Sequence, residues 1–291
     1  MTGDLPSTAL RVGVLQARAK TGDVEGNARR AADLLDSIAA PGVRVAVLPE
    51  LHLCAYDLDA LAADQHGGTV AADGANRVDD LRLEPLVDAA VRSGRTVLTG
   101  AAVRRADGAL TNSVLMVDPL ATVSVVYDKE HLWQLDEAAL FTAGQGGGGM
   151  VQVDDWQLGV AICYDMSFPE HARQAALSGA HAYLCPSAFA AGAEHRAAVY
   201  LAARALENTV YSVFTNPVGG PSNRPTAGDS AVFAPDGTVV ARAQPSDSEQ
   251  TVVVELDPGR IERVRGFLHM LAEEKALRQV RKSSDSSSVP Y

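Results

Sequence analysis

Cysteine is scarce. Three in 291 residues, Cys54, Cys163 and Cys185, cannot build a disulfide framework in a chain of this size, which predicts a reducing compartment. Basic runs are missing too: the net charge is −11, and only a few cationic residues gather near the C-terminus. That balance argues against nucleic acid or an anionic membrane as the main partner. No apolar run approaches the roughly 18–20 residues needed to span a bilayer, and residues 1–10 lack a charged segment followed by an apolar core. The sequence therefore predicts a cytoplasmic, soluble protein. No set of His, Cys and carboxylate residues has metal-ligand spacing, so no metal site is expected. Gly146 to Gly149 lack the lysine and the strand–helix setting of a phosphate cradle.

What the chain does have is 47% hydrophobic residues, enough for one large α/β domain or two small ones. Short apolar strands alternate with amphipathic helices. Strands are predicted over residues 10–15, 43–48, 96–103, 110–117, 122–127, 150–153, 157–162, 180–185, 210–216, 230–234, 238–243 and 251–256. Helices are predicted over 27–39, 78–93, 169–177 and 194–208, with mainly helical sequence over 257–281 and a mobile Ser-rich tail beyond. Residues 64–77 and 217–228 read as loops. Asp107-Gly108 and Pro235-Asp236-Gly237 mark hairpin turns. Hairpins mixed with helix-linked strands predict two mixed sheets packed face to face, with helices outside each. No composition shift divides the chain. A single domain over 1–291 is expected, with its core over about 10–256 and a C-terminal helix and tail over 257–291.

Three reactive residues stand where apolar strands end. Glu50 follows Val45-Ala46-Val47-Leu48-Pro49, Lys129 follows Val125-Val126-Tyr127-Asp128, and Cys163 closes Gly159-Val160-Ala161-Ile162. After Cys163 a short polar turn leads to Pro169 and Glu170, residues suited to the first turn of a helix. A thiol near unpaired N–H groups and a positive helix terminus is expected to favour the thiolate. Carboxylate, ammonium and thiol together are the equipment for acyl transfer through a thioester. Glu50 would act as general base and later activate water, and Cys163 would attack the carbonyl carbon. Lys129 and the N–H after Cys163 would hold the oxyanion. A Cys–His site using His52, His131 or His195 lacks any local signature, and His131 is expected to orient neighbouring backbone or Glu130. His52 and His66 lie in or near the loop after Glu50, where they could reach the pocket.

These motifs resemble the nitrilase, or carbon–nitrogen hydrolase, superfamily from about residue 10 to residue 256. Val47-Leu48-Pro49-Glu50, Tyr127-Asp128-Lys129-Glu130-His131-Leu132 and Ala161-Ile162-Cys163-Tyr164-Asp165 are similar to its three motifs, in order. Glu137 matches the family's second active-site glutamate, which holds the lysine and orients substrate. Arg204-Ala205-Leu206-Glu207-Asn208, Asn216 and Gly228-Asp229-Ser230 also fall as the family has them. The resemblance implies an α-β-β-α sandwich and cofactor-free hydrolysis of a small amide to carboxylate and ammonia. It also implies homodimers or higher assemblies formed across the outer helices, and a substrate pocket shaped by Tyr56, Trp133, Tyr164, Ser187 and Phe189. N-carbamoyl-amine hydrolysis, nitrile hydrolysis, acyl transfer, or a non-catalytic binding or regulatory role are the alternatives on the same fold.

The departures from the family pattern are informative. Ala143 stands where the family has proline between Phe141 and Gly144, and Ala55 replaces the glycine before Tyr56. Tyr164-Asp165 after the cysteine resembles the amidase side in preference to the Trp-Glu of nitrilases. Carbamoyl-amino-acid hydrolases carry two arginines at the positions of Met166 and Ser167, and the ω-amidase branch has one where Ser167 stands. A serine hydroxyl does not replace a guanidinium fork on a carboxylate. Unless Arg173, Arg196 or Arg224 supplies the clamp from elsewhere, the sequence predicts a neutral or cationic amide.

Overall fold

The computed structural model of the protein describes residues 5–63, 67–244 and 247–286. In the first half of the chain the elements are β1 (Leu10–Gln16), α1 (Val24–Asp36), β2 (Val43–Val47), α2 (Leu58–Ala63), β3 (Thr69–Ala71), α3 (Glu84–Ser93), β4 (Thr96–Arg104), β5 (Leu110–Val117), β6 (Val123–Asp128) and α4 (Gln134–Leu140). The second half continues with β7 (Gly149–Val153), β8 (Trp156–Val160), α5 (Pro169–Leu177), β9 (Ala182–Pro186), α6 (Glu194–Asn208) and β10 (Tyr211–Thr215). A two-residue pair, β11 (Val218–Gly219) and β12 (Thr226–Ala227), precedes β13 (Ala231–Phe233), β14 (Val239–Arg242), β15 (Gln250–Leu256), α7 (Pro258–Arg265) and α8 (Met270–Ser286).

The strands form two mixed sheets. One runs β15-β1-β2-β4-β5-β6, with β3 also on β4; the other runs β14-β13-β10-β9-β8-β7. Each has parallel pairs at its centre, β1–β2–β4 and β8–β9–β10, flanked by antiparallel strands. Parallel strands must be covered on both faces, and alternation along each strand provides the two coats. Val12 and Val14 of β1, Val45 and Val47 of β2, and Leu158 and Val160 of β8 face the space between the sheets, where Trp156 and Tyr211 fill the largest volumes. Leu15 and Ala46 point the other way, under α1 and α3. Tyr183, Cys185 and Phe214 likewise lie under α5 and α6. The order of layers is helix, sheet, sheet, helix.

The helices are set by ordinary local chemistry. Asp23 caps α1 through the Gly26 N–H at 3.0 Å, and Gly94 ends α3 with φ +64°. Pro169 begins α5, where a missing N–H costs no bond. Three differences from the sequence reading have clear causes. The loop expected over 64–77 contains β3, because Thr69–Ala71 finds the free edge of β4 at Ala102–Arg104; residues 64–66 lie outside the described ones. Two short helices, α2 and α4, are too brief to show a period. The Ser-rich stretch expected to be a mobile tail continues α8 as far as Ser286, and the rest of it lies outside the described residues.

Two glycines brace the strand ends. Gly100 of β4 lies against the turn after β2, where its N–H donates to Pro49 O (3.1 Å) and its carbonyl accepts from Leu53 N (3.0 Å). A Cβ at this position would sit 2.2 Å from Leu51 N and 2.6 Å from Pro49 O. Gly144 donates to Lys129 O (2.8 Å), and a Cβ there would lie 2.4 Å from Asp128 O. Only glycine permits either approach. Gly100→Ala is therefore expected to cost about 1–3 kcal/mol of stability, as overpacking against immobile backbone does. Urea unfolding checks this, and a variant as stable as the parent would show that the turn carrying Glu50 is not held at this point.

Candidate active site

Glu50, Lys129 and Glu137 form one buried chain of hydrogen bonds. Lys129 Nζ lies 2.7 Å from Glu50 Oε1 and 2.8 Å from Glu137 Oε1, and all three side chains are fully buried. Glu137 also accepts from the Tyr56 hydroxyl, and its second oxygen from Trp133 N at 2.7 Å. Glu50 Oε1 further accepts from Asn112 Nδ2 (2.8 Å), whereas Glu50 Oε2 is buried with no partner among the described residues. Asn112 lies inside β5 with nothing in its sequence context to mark it.

Cys163 opens the far side of this cluster into a cavity of about 310 Å³, walled by Tyr56, Trp133, Tyr164, Ala188 and Phe189 among others. The Trp133 and Tyr164 rings meet edge to face at 4.8 Å. Cys163 has φ +46° and starts a 3-10 turn through Ser167, a backbone state costly for a residue with a side chain. What holds it is Asp165. One oxygen of this buried carboxylate accepts from Ile162 N (2.9 Å) and the Tyr127 hydroxyl (2.7 Å). The other accepts from His131 N and Nδ1, both at 2.9 Å. Burial alone would raise Asp165, but His131, His171 and these donors outweigh it and hold its pKa below the ordinary value. Tyr127 and His131 flank Lys129 in sequence, so one carboxylate ties the cysteine turn to the lysine strand. The His131 ring pairs with Asp165, where the sequence had suggested neighbouring backbone or Glu130, and it stacks on Phe168 at 3.7 Å.

The electrostatics correct one expectation. Burial, reinforced by Glu50, pushes the Cys163 thiol well above its ordinary value, with Lys129 pulling the other way. These surroundings disfavour the thiolate that the turn was expected to give. The full helix begins only at Pro169, six residues on, and a 3-10 turn occupies the residues from Cys163 to Ser167. Burial also lifts Glu50 above its usual range against the opposing pull of Lys129. Burial works against the Lys129 charge too, but Glu50 and Glu137 outweigh it and keep the ammonium protonated.

Tyr56, Trp133, Tyr164 and Phe189 line the cavity as expected positions, and Ser187 does not. The Ser187 hydroxyl turns into the core, donating to Cys185 O at 3.0 Å, because strand alternation at the end of β9 points it inward. The neighbouring Ala188 and Ala190 take its place in the wall. Sequence reasoning left Gln134 and Tyr200 out of the wall; they come from α4 and α6 and carry no motif. None of the described histidines lines this cavity, and His66 lies outside the described residues.

His52 sits behind Glu50, buried, with neither ring nitrogen hydrogen-bonded among the described residues. Burial depresses its pKa from 6.5 to about 4. The unfolded chain therefore takes up this proton near pH 6.5 while the native one refuses it until about pH 4, so stability falls as pH drops through that window. Between pH 7.5 and 5 the wild type should lose about 2 kcal/mol more than His52→Leu in urea unfolding. Equal losses in the two proteins would remove His52 from the acid response.

The profile of the carbon–nitrogen hydrolase family matches residues 11–266. A hydrolase described as lying in the pqqF 5′ region of Pseudomonas protegens is 33% identical over 239 residues, covering 80% of this chain and 79% of that one. A deaminated glutathione amidase of Escherichia coli O157:H7 is 29% identical over 252 residues, with coverages of 85% and 90%. The crystal structure of Saccharomyces cerevisiae Nit3, a member of branch 10 of the nitrilase superfamily, superposes with a TM-score of 0.80. At 24% identity, over 91% of this chain and 96% of that one, this is a likeness of fold.

Proposed function

Because the chain belongs to the carbon–nitrogen hydrolase family, we propose that it cleaves the C–N bond of a small linear amide through a thioester on Cys163, with Glu50 as base and Lys129 and Glu137 as its partners. The observation that carries this reading is the Lys129 ammonium, 2.7 Å from Glu50 and 2.8 Å from Glu137, buried behind the wall through which Cys163 meets the cavity. The relative named as an amidase supports the same class of reaction.

The steps follow from the protonation states. Cys163 rests as a thiol and Glu50 has one carboxylate oxygen without a partner. As sulfur bonds to the amide carbon, the thiol proton passes to that oxygen and the carbonyl electrons become an oxyanion. Two of the three Lys129 N–H donors are engaged, which leaves the third, with the Tyr164 N–H at the start of the turn, for the oxyanion. Collapse breaks the C–N bond, and the nitrogen takes the Glu50 proton to leave as ammonia. Water then gives a proton to Glu50 and attacks the thioester; the carboxylate product departs and Cys163 recovers its proton. Tyr56 and Trp133 keep Glu137 on Lys129, fixing the ammonium while this occurs.

The homodimer belongs to the same proposal. Val199 and Leu206 of α6 are 66% and 41% exposed, an apolar surface that a second copy would cover. Sedimentation as a monomer of 30.5 kDa would remove that part. The chemistry is tested by ammonia release from a panel of short aliphatic, aryl and ω-amides. Cys163→Ala should abolish turnover with unfolding unchanged, and Glu50→Gln should lose on the order of 10²–10⁴ in rate. Ammonia release by Cys163→Ala near the wild-type rate would refute the assignment.

A further inference from the structure

The cavity that receives Cys163 also receives two guanidiniums. Arg224, in the turn between β11 and β12, lies over the Tyr56 ring with its central carbon 4.4 Å from the ring centre. Arg196, on α6, sits 5.8 Å from the centre of the Phe189 ring. Both line the cavity, and among the described residues no aspartate or glutamate does. This runs against the background, since acids outnumber Lys and Arg by 36 to 25 in the chain. An arginine stacked on an aromatic face keeps its N–H edge free for a planar anion. Among the described residues neither guanidinium takes part in a salt bridge, whereas Arg204, on the same helix as Arg196, meets Glu207 at 2.6 Å.

Resting on the thioester reading above, we propose that the amide cleaved here carries a carboxylate at the far end of its acyl group, held by Arg224 and Arg196. The wall between these arginines and Cys163 is aromatic and aliphatic, with Tyr164, Phe189 and Ala188, which suits a short apolar chain joining the two ends of such a molecule. The neutral or cationic amide predicted from Ser167 is thereby replaced. Ser167 does line the cavity without charge, but the cationic groups arrive from α6 and the β11–β12 turn, far away in sequence. Arg173, the third candidate clamp, is not in the wall.

Two alkylating reagents of similar size test this at the sulfur itself. Iodoacetamide is neutral and iodoacetate carries the carboxylate, so the ratio of their rates at Cys163, followed by peptide mass, reads the charge of the cavity. The iodoacetate:iodoacetamide ratio should fall about tenfold or more when Arg224→Gln and Arg196→Gln are combined, the size expected for losing a charge-assisted contact. The corresponding pair of lysine variants should restore much of it, which a merely misfolded variant would not allow. In parallel, the monoamide of a short dicarboxylic acid should exceed the matched methyl-ended amide in kcat/KM, and the double glutamine variant should erode that advantage through KM. An unchanged alkylation ratio, or a preference for the methyl-ended amide, overturns the carboxylate clamp alone. Failure of iodoacetamide to label Cys163 at all overturns the nucleophile reading and the clamp with it.

Discussion

A lysine ammonium without water must have anions beside it, and most of this molecule's organisation around the cavity follows from that need. Burying a lone charge costs several kcal/mol even after relaxation. Lys129 is tolerable only because Glu50 and Glu137 meet it at hydrogen-bond distance from opposite sides. The dependence is mutual, since each carboxylate is as dry as the lysine. Removing either acid would strand a charge, a loss of about 3–5 kcal/mol in comparable buried pairs. Such a cluster does little for net stability, and an apolar trio would fill the same space at less cost. Its persistence at the rim of an otherwise aliphatic core points to chemistry.

The scaffold meets the need by ending strands at one rim. β2 delivers Glu50, β6 delivers Lys129, and β8 leads through Ala161 and Ile162 to Cys163. Since the first two strands belong to one sheet and the third to the other, the constellation spans the inter-sheet seam. Packing of valine and leucine across that seam sets the spacing coarsely; Asp165 sets it finely. Four donors from both sides of the seam converge on that carboxylate. The left-handed turn at Cys163 is a strained state that such a network can sustain.

The strand ends were legible because burial writes them into the sequence: an apolar run that stops at Pro49-Glu50 or Asp128-Lys129 can only be a covered strand reaching a polar boundary. Hairpins were legible for a similar reason, as Asp107-Gly108 and Pro235-Asp236-Gly237 have little else to do. The family motifs supplied Glu137, which no periodicity marks. What stayed hidden depends on distances between remote segments. Asn112 reads as an ordinary interior strand residue until Glu50 is found beside it. Ser187 reads as pocket until alternation turns it inward. The proton on Cys163 could not be read from the turn, because its affinity is decided by burial and by a carboxylate more than a hundred residues away.

Under the proposed thioester route, the separation of roles around the sulfur makes a neutral thiol compatible with catalysis. If Cys163 rested as a thiolate, its charge would add to Glu50 and Glu137 against one ammonium, in a region where opposing fields are weakly screened. In the proposed route, keeping the proton on sulfur until a carbonyl arrives confines the change of state to one transfer from Cys163 to Glu50. Its raised proton affinity then becomes useful, since a stronger base in a dry site takes a thiol proton more readily. Charge that does face water is kept apart from this cluster, on the cavity's outer arginines. Arg196 and Arg224 line the cavity and Lys129 does not, so they can meet an anion without competing for Glu50. In the proposed mechanism the inner ammonium answers charge that develops during reaction, and the outer guanidiniums answer charge that a molecule brings with it.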